Sequence, residues 1–440
     1  MTDGDGESGL EWQVTRVGPR LRLFHAAGEK FRTCALRACL QVPLAPATVT
    51  ATALVPHVLG RGCRGYPDLT AIGRRLEELF GAGVGAGVMK IGEVQTLFLG
   101  LDVVDERYLP ERAGVLAGAV DLLTRMCLEP ALDTGGRFPS AVVAQEKDNL
   151  AHRIEGIMND KGRYAAMRCV EEMCAGEPYA LPAHGRLEDL PDLDAAALTA
   201  RWRAVLERAP VDVFAVGGGP ELADMVARQL APLASGKADA VGTGPGAPAP
   251  AQPRVVHESE AVQQGKLCLG YRTGITRRDP RHAAMRMYAA ILGGFPHSKL
   301  FRNVRERASL AYSASCEWDG HKGILMVHAG IESDAYERAV DIIGRQVEDM
   351  AAGRIDDDEL EFTRRGLANH LREAADSTYG LLNSALGLAM VDDLRPLPER
   401  LAEIAAVTRD DIVAAAQTVR LDTIYFLSDR GGDPDGQPLA

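Results

Sequence analysis

No stretch of about 18 apolar residues occurs in the chain, and its N-terminus, MTDGDGESG, is acidic and polar where a leader would need a basic flank ahead of an apolar core. Export and membrane insertion are therefore not expected, and the chain reads as cytoplasmic. There is no CxxC pair and no regular cysteine spacing. The eight cysteines, Cys34, Cys39, Cys63, Cys127, Cys169, Cys174, Cys268 and Cys316, are scattered through apolar segments and predict reduced, buried thiols. Positive charge is in deficit: 49 Lys and Arg stand against 61 Asp and Glu, a net charge of −12. That balance argues against nucleic acid and anionic membrane as partners, because both need clustered cations. No HxxEH, HxxxH or cysteine cluster offers a complete metal site, and no Ser or Cys has the companions of a self-sufficient nucleophile. What remains is an ordinary globular composition, 46% hydrophobic and 25% charged over 440 residues, enough for roughly two to four domains.

The main signal in the chain is a duplication. Residues 15–231 and 255–430 show the same order of elements. Each opens on strand-like segments, 20–25 with 31–42 in one copy and 265–271 in the other. A helix then runs into Leu-Gly, at Leu59-Gly60 and Leu292-Gly293, where glycine permits the left-handed turn that commonly ends a helix. A second helix follows, with an apolar stripe of Leu69, Ile72, Leu76, Leu79 and Phe80 in one copy and Leu300, Phe301, Val304 and Ala308 in the other. Two strands come next, 84–90 with 94–103 and 311–317 with 323–331. Two further helices close each pattern, 110–128 with 141–155 and 335–350 with 358–374. Between the copies, residues 232–254 are a Pro, Gly and Ala mixture that reads as a flexible linker. The ends, 1–14 and 431–440, read as a disordered N-terminus and a polar tail. The predicted fold is α+β: two duplicated α/β lobes, each a mostly antiparallel sheet packed with helices.

This arrangement, with the run SKLFRNVRERASLAYS at 298–313 behind Leu-Gly-Gly at 292–294, resembles the pitrilysin, insulysin and mitochondrial processing peptidase family of zinc peptidases, the inverzincins. The resemblance covers roughly residues 15–430. It implies that Arg305 and Tyr312, seven apart, form a substrate-binding pair. The residue types suit that role, since peptide hydrolysis builds negative charge on a carbonyl oxygen, which a phenolic OH and a fixed guanidinium can stabilise. On residues alone, Arg305 could instead pair with Glu306 or Glu361, and Tyr312 could be a strand residue with a wet tip.

Active members carry HxxEH on the first helix of the N-terminal lobe, two histidines binding zinc and the glutamate acting as general base. The matching stretch here is TALVPHVLG. Ala53 stands at the first histidine, Pro56 at the glutamate, and only His57 remains. A methyl and a pyrrolidine ring offer zinc no lone pair. Glu146, in AVVAQEKDNL, resembles the downstream acidic ligand. One His and one Glu do not make a zinc site, so no cofactor is expected in this chain and His57 reads first as a satisfied core or cleft histidine.

Weaker signals read as structure. GAGVGAG at 81–87 follows a helix and enters a strand, the reverse of a dinucleotide fingerprint, and predicts an edge strand or close backbone approach. Cys169 and Cys174 sit five apart on a predicted helix and share no face. Residues 159–185 resemble a stretch of the small bacterial members that lack zinc ligands. The reading that follows from the resemblance is the non-metal subunit of a heterodimeric peptidase. Its homologous partner would carry HxxEH and the zinc, and its substrate would be a peptide. The alternative is a catalytically silent peptide-binding or scaffold protein.

Overall fold

The computed structural model describes residues 10–109 and 114–429. Its elements run β1 (Gln13–Arg16), β2 (Leu21–Ala26), β3 (Thr33–Pro43), α1 (Val49–Leu59), α2 (Leu69–Glu78), β4 (Gly83–Ile91), β5 (Val94–Val104), α3 (Val115–Leu128), α4 (Ser140–Asn159), α5 (Lys161–Met173), α6 (Ala195–Arg208), β6 (Val211–Val216) and α7 (Glu221–Gln229). The second half continues with β7 (Arg254–Ser259), β8 (Gly265–Arg272), α8 (His282–Ala289), β9 (Ala311–Asp319), β10 (Ile324–Ile331), α9 (Tyr336–Ala351), α10 (Asp357–Ala375), α11 (Thr378–Ala389), α12 (Leu397–Ala406), α13 (Arg409–Ala416) and β11 (Arg420–Ser428). Among the described residues no helix is long and apolar enough to cross a membrane.

The duplication is visible in strand order. One sheet runs β1-β2-β6-β3-β5-β4 and the other β7-β11-β8-β10-β9. Apart from β1, each strand has a counterpart at the same place. The parallel pair β2 and β6 is matched by the parallel pair β7 and β11, and the remaining neighbours are antiparallel. Periodicity alone did not reveal β6, β7 and β11. Of these β6 is buried along its whole length, and a fully buried strand shows no alternation to read.

The described part of the expected disordered N-terminus is ordered at Gln13 and Val14, which pair with His25 and Phe24 of β2. Residues 1–9 and 430–440, including the expected polar tail, lie outside the described residues, as do the first residues of the helix expected from 110. The expected stripe on α2 is only partly covered, since Ile72 and Leu79 are buried while Leu69 and Phe80 are about half exposed.

The chain forms two compact units that divide at Thr243/Gly244, within 232–254, but that exchange segments across the repeat boundary. The first takes the chain through Ile154, then Leu181–Thr243 and Arg372–Pro398; the second takes Glu155–Ala180, Gly244–Leu371 and the chain from Glu399. Each half thus lends a helix to the core of the other. In the first unit one sheet face packs Leu21, Leu23, Leu36 and Leu40 against α1, α3 and α6. The opposite face packs Phe24, Ala35, Cys39 and Phe214 against Leu382, Ala385 and Leu386 of α11. In the second unit Ala165, Cys169 and Met173 of α5 pack on Cys268, Met326, Tyr425 and Leu427. The cause is that the central strands are apolar on both faces, so each sheet needs two helical layers.

Between the short 3-10 turn Ala231–Leu233 and β7 the chain has neither helix nor strand from 235 to 253. It is nonetheless tied at two places. Asp239 pairs with Arg208 in the first unit, and the Gly246 N–H donates to the Lys322 carbonyl in the second at 3.2 Å.

Candidate functional site

Helix α1 begins after Thr48, whose carbonyl accepts a 2.7 Å hydrogen bond from the Thr52 hydroxyl, and ends at Gly60, which at φ −70° stays right-handed and, like Gly293 at φ −155°, does not take the expected left-handed turn. Pro56 sits inside it and withholds one helical N–H. Ala53 is fully buried in the apolar core. Pro56 faces a narrow apolar cavity with Leu97, Leu99 and Trp202. Neither position leaves a donor for a metal or a base for water.

His57, on the same helix, is half-buried, and its pKa is pushed down to about 4, first by burial and then by the nearby Arg153 and Arg61 cations. It is a neutral imidazole at neutral pH. Glu146, on α4, is 3% exposed. Its carboxylate accepts from both Nε and Nη2 of Arg61 and, at 3.0 Å, from Nδ2 of Asn149. A zinc ion does not fit this donor set: two of the motif positions carry no lone pair, and the remaining carboxylate is held by a guanidinium. Among the described residues no three His, Cys, Asp or Glu side chains gather in a metal-binding group.

Arg305 and Tyr312 lie in the second unit. Residues Phe301–Arg307 form a π-helical turn in which the Ala308 N–H reaches the Asn303 carbonyl, five residues back, at 3.2 Å. Val304 anchors the turn in the core, and Asn303 Nδ2 donates to Gln346 of α9 at 2.6 Å. Ser309, at φ 51°, reverses the chain into β9. This local geometry turns Arg305 outward. Its guanidinium lies 4.4 Å from the centre of the Phe301 ring and, among the described residues, makes no ion pair. Glu361, a possible partner from the sequence, binds Arg364 and Arg365 instead.

Tyr312 is 75% exposed and is the second residue of β9, an edge strand that among the described residues is hydrogen-bonded to β10 alone. Gly293 shows why Leu-Gly-Gly precedes this segment: a Cβ there would stand 2.5 Å from the Cys316 nitrogen of β9.

The glycine-rich stretch forms β4, an edge strand as expected, and all eight cysteines are free and buried. Because α5 ends at Met173, Cys174 leaves the helix and joins Cys169 in one core, which helical spacing had ruled out. Sequence reasoning missed Arg61 and Phe301. The first reads as an ordinary cation past a helix end, and the second as one more member of an apolar stripe.

Residues 192–367 match the family model for the Peptidase M16 inactive domain. A Bacillus subtilis protein described as "Probable inactive metalloprotease YmfF" is 36% identical over 413 residues, which span 92% of this chain and 95% of that protein. Among solved structures, a conserved protein from Enterococcus faecalis is 28% identical, with a TM-score of 0.87 over 96% of this chain and 100% of that one. A peptidase M16 inactive domain from Pseudomonas fluorescens shares the fold, with a TM-score of 0.79 at 19% identity over 96% of this chain and 99% of that one.

Proposed function

This chain belongs to the peptidase M16 family, among its members without a zinc site, and from that premise we propose that it is the non-zinc-binding subunit of a heterodimeric metallopeptidase. The partner is a homologous chain carrying HxxEH and the zinc, and the substrate is a peptide or a short unfolded segment. Alone, this chain does not hydrolyse peptides.

The observation that supports this reading is the state of Arg305 and Tyr312. A solvent-facing guanidinium with no carboxylate partner among the described residues stands seven residues before an exposed phenol near the start of an edge strand. Arg305 donates to a substrate carbonyl, and the Tyr312 OH donates to the scissile carbonyl as it gains negative charge. The outer backbone edge of β9, open among the described residues, can align an extended peptide beside them.

A second reading, a catalytically silent peptide-binding or scaffold protein of the same fold, fits equally the Bacillus subtilis relative's being a probable inactive metalloprotease. Purification of the tagged chain from its own cells separates the two. The subunit reading expects an HxxEH protein of similar size in equal amount, and peptide cleavage by the pair that a chelator abolishes. Recovery of the chain alone, or of a pair inert toward unfolded peptides, would reject it in favour of the scaffold.

A further inference from the structure

Glu146 is a buried carboxylate on α4, and an ionised carboxylate out of water is tolerated only beside a compensating charge. That charge comes from Arg61, the first residue past Gly60 at the C-terminal end of α1, where helix carbonyls also favour a cation. Two guanidinium N–H groups of Arg61 meet the same carboxylate oxygen, and the Asn149 amide completes its coordination. The contact joins segments 85 residues apart. A second guanidinium, Arg153, is close enough to act electrostatically on both Arg61 and Glu146.

A divalent ion brought to His57 would therefore have to strip Glu146 from Arg61 and then sit among two guanidinium groups. We infer that Arg61 is a built-in substitute for a metal ion: it neutralises Glu146, ties α1 to α4, and bars divalent cations even where metal-ligating side chains are supplied. The loss of zinc binding thus rests on a gained cation as well as on the missing ligands at Ala53 and Pro56.

Two measurements on the full-length chain test this. In the first, zinc is titrated into Ala53→His/Pro56→Glu and into the same variant with Arg61→Ala added, and bound metal is counted after dialysis. The expected result is about one tightly held equivalent only when Arg61 is gone. One equivalent bound with Arg61 in place would overturn the inference. Ala53 is fully buried, so a variant there can fail to fold, and the second measurement needs no new ligand. Arg61→Ala should lower the melting temperature by roughly 5 to 10 °C, because it strands a buried carboxylate, and Arg61→Ala/Glu146→Gln should recover most of that loss. An Arg61→Ala chain that melts like wild type, or a double variant no better than the single one, would equally overturn it.

Discussion

The guanidinium of Arg305 rests 4.4 Å from the centre of the Phe301 ring, four residues earlier in the same π-helical turn, and has no carboxylate partner among the described residues. The ring gives the cation a direction without neutralising it. A charge oriented in this way remains available to a bound carbonyl.

In the assembled complex, Tyr312→Phe should reduce turnover by roughly 10²-fold to 10³-fold, the scale for removing an oxyanion donor. Arg305→Lys should also impair cleavage, because an ammonium cannot reproduce the planar fork. Both side chains are exposed, so melting temperature and complex size should not change. Peptide cleavage beside size-exclusion chromatography checks this. Unchanged turnover in both variants would remove the pair from the mechanism.

Phe301→Leu should weaken cleavage in the same direction by only roughly two- to fivefold, since an exposed cation–π contact is worth about 0.5–1 kcal/mol. Phe301→Tyr should retain activity, because it keeps the ring face. The comparison is informative if Arg305→Lys is itself impaired, and a Leu variant as active as the Tyr variant would then show that the stack is incidental.

Acid should destabilise the chain partly through His57. Its folded pKa is depressed to about 4 from an ordinary value of 6.5. Between those values the unfolded chain takes up a proton that the folded chain refuses, so this contribution is fully present above about pH 6.5 and is lost as pH falls toward 4. Urea unfolding of wild type and His57→Gln across that window should show a shallower pH dependence in the variant. Parallel curves would mean that His57 does not titrate as its surroundings require.

Exchange of α5 and α11 makes each half of the chain incomplete. Fragments cut at Thr243 and Gly244 should fold poorly when expressed separately and should form a folded pair when expressed together. After nicking within 232–254 of the intact protein the pieces should likewise stay associated. Circular dichroism and hydrogen exchange on the separate fragments decide the point, and two independently folded, protected halves would count against it.

Much of this molecule was legible in its residues. The duplicated order of elements, the edge-strand character of 81–87 and the buried thiols each follow from local pattern, because periodicity and turn chemistry act over a few residues. So does the absence of lone pairs at Ala53 and Pro56, which is a matter of residue type. The exchange of α5 and α11 between the compact units was not legible. The apolar face of α5 or α11 states that it needs a sheet but not which one, and two sheets of like topology were available.

The site divides in the same way. By itself the sequence determined that Glu146 is an acid, Arg61 a base and Arg305 a fixed cation, since those properties belong to the side chains. Only the tertiary structure decided that Arg61 spends its charge on Glu146 while Arg305 spends none on Glu361. Ion pairing depends on distance and burial. Folding sets both, by bringing together groups 85 residues apart in one case and turning a guanidinium out of the protein in the other.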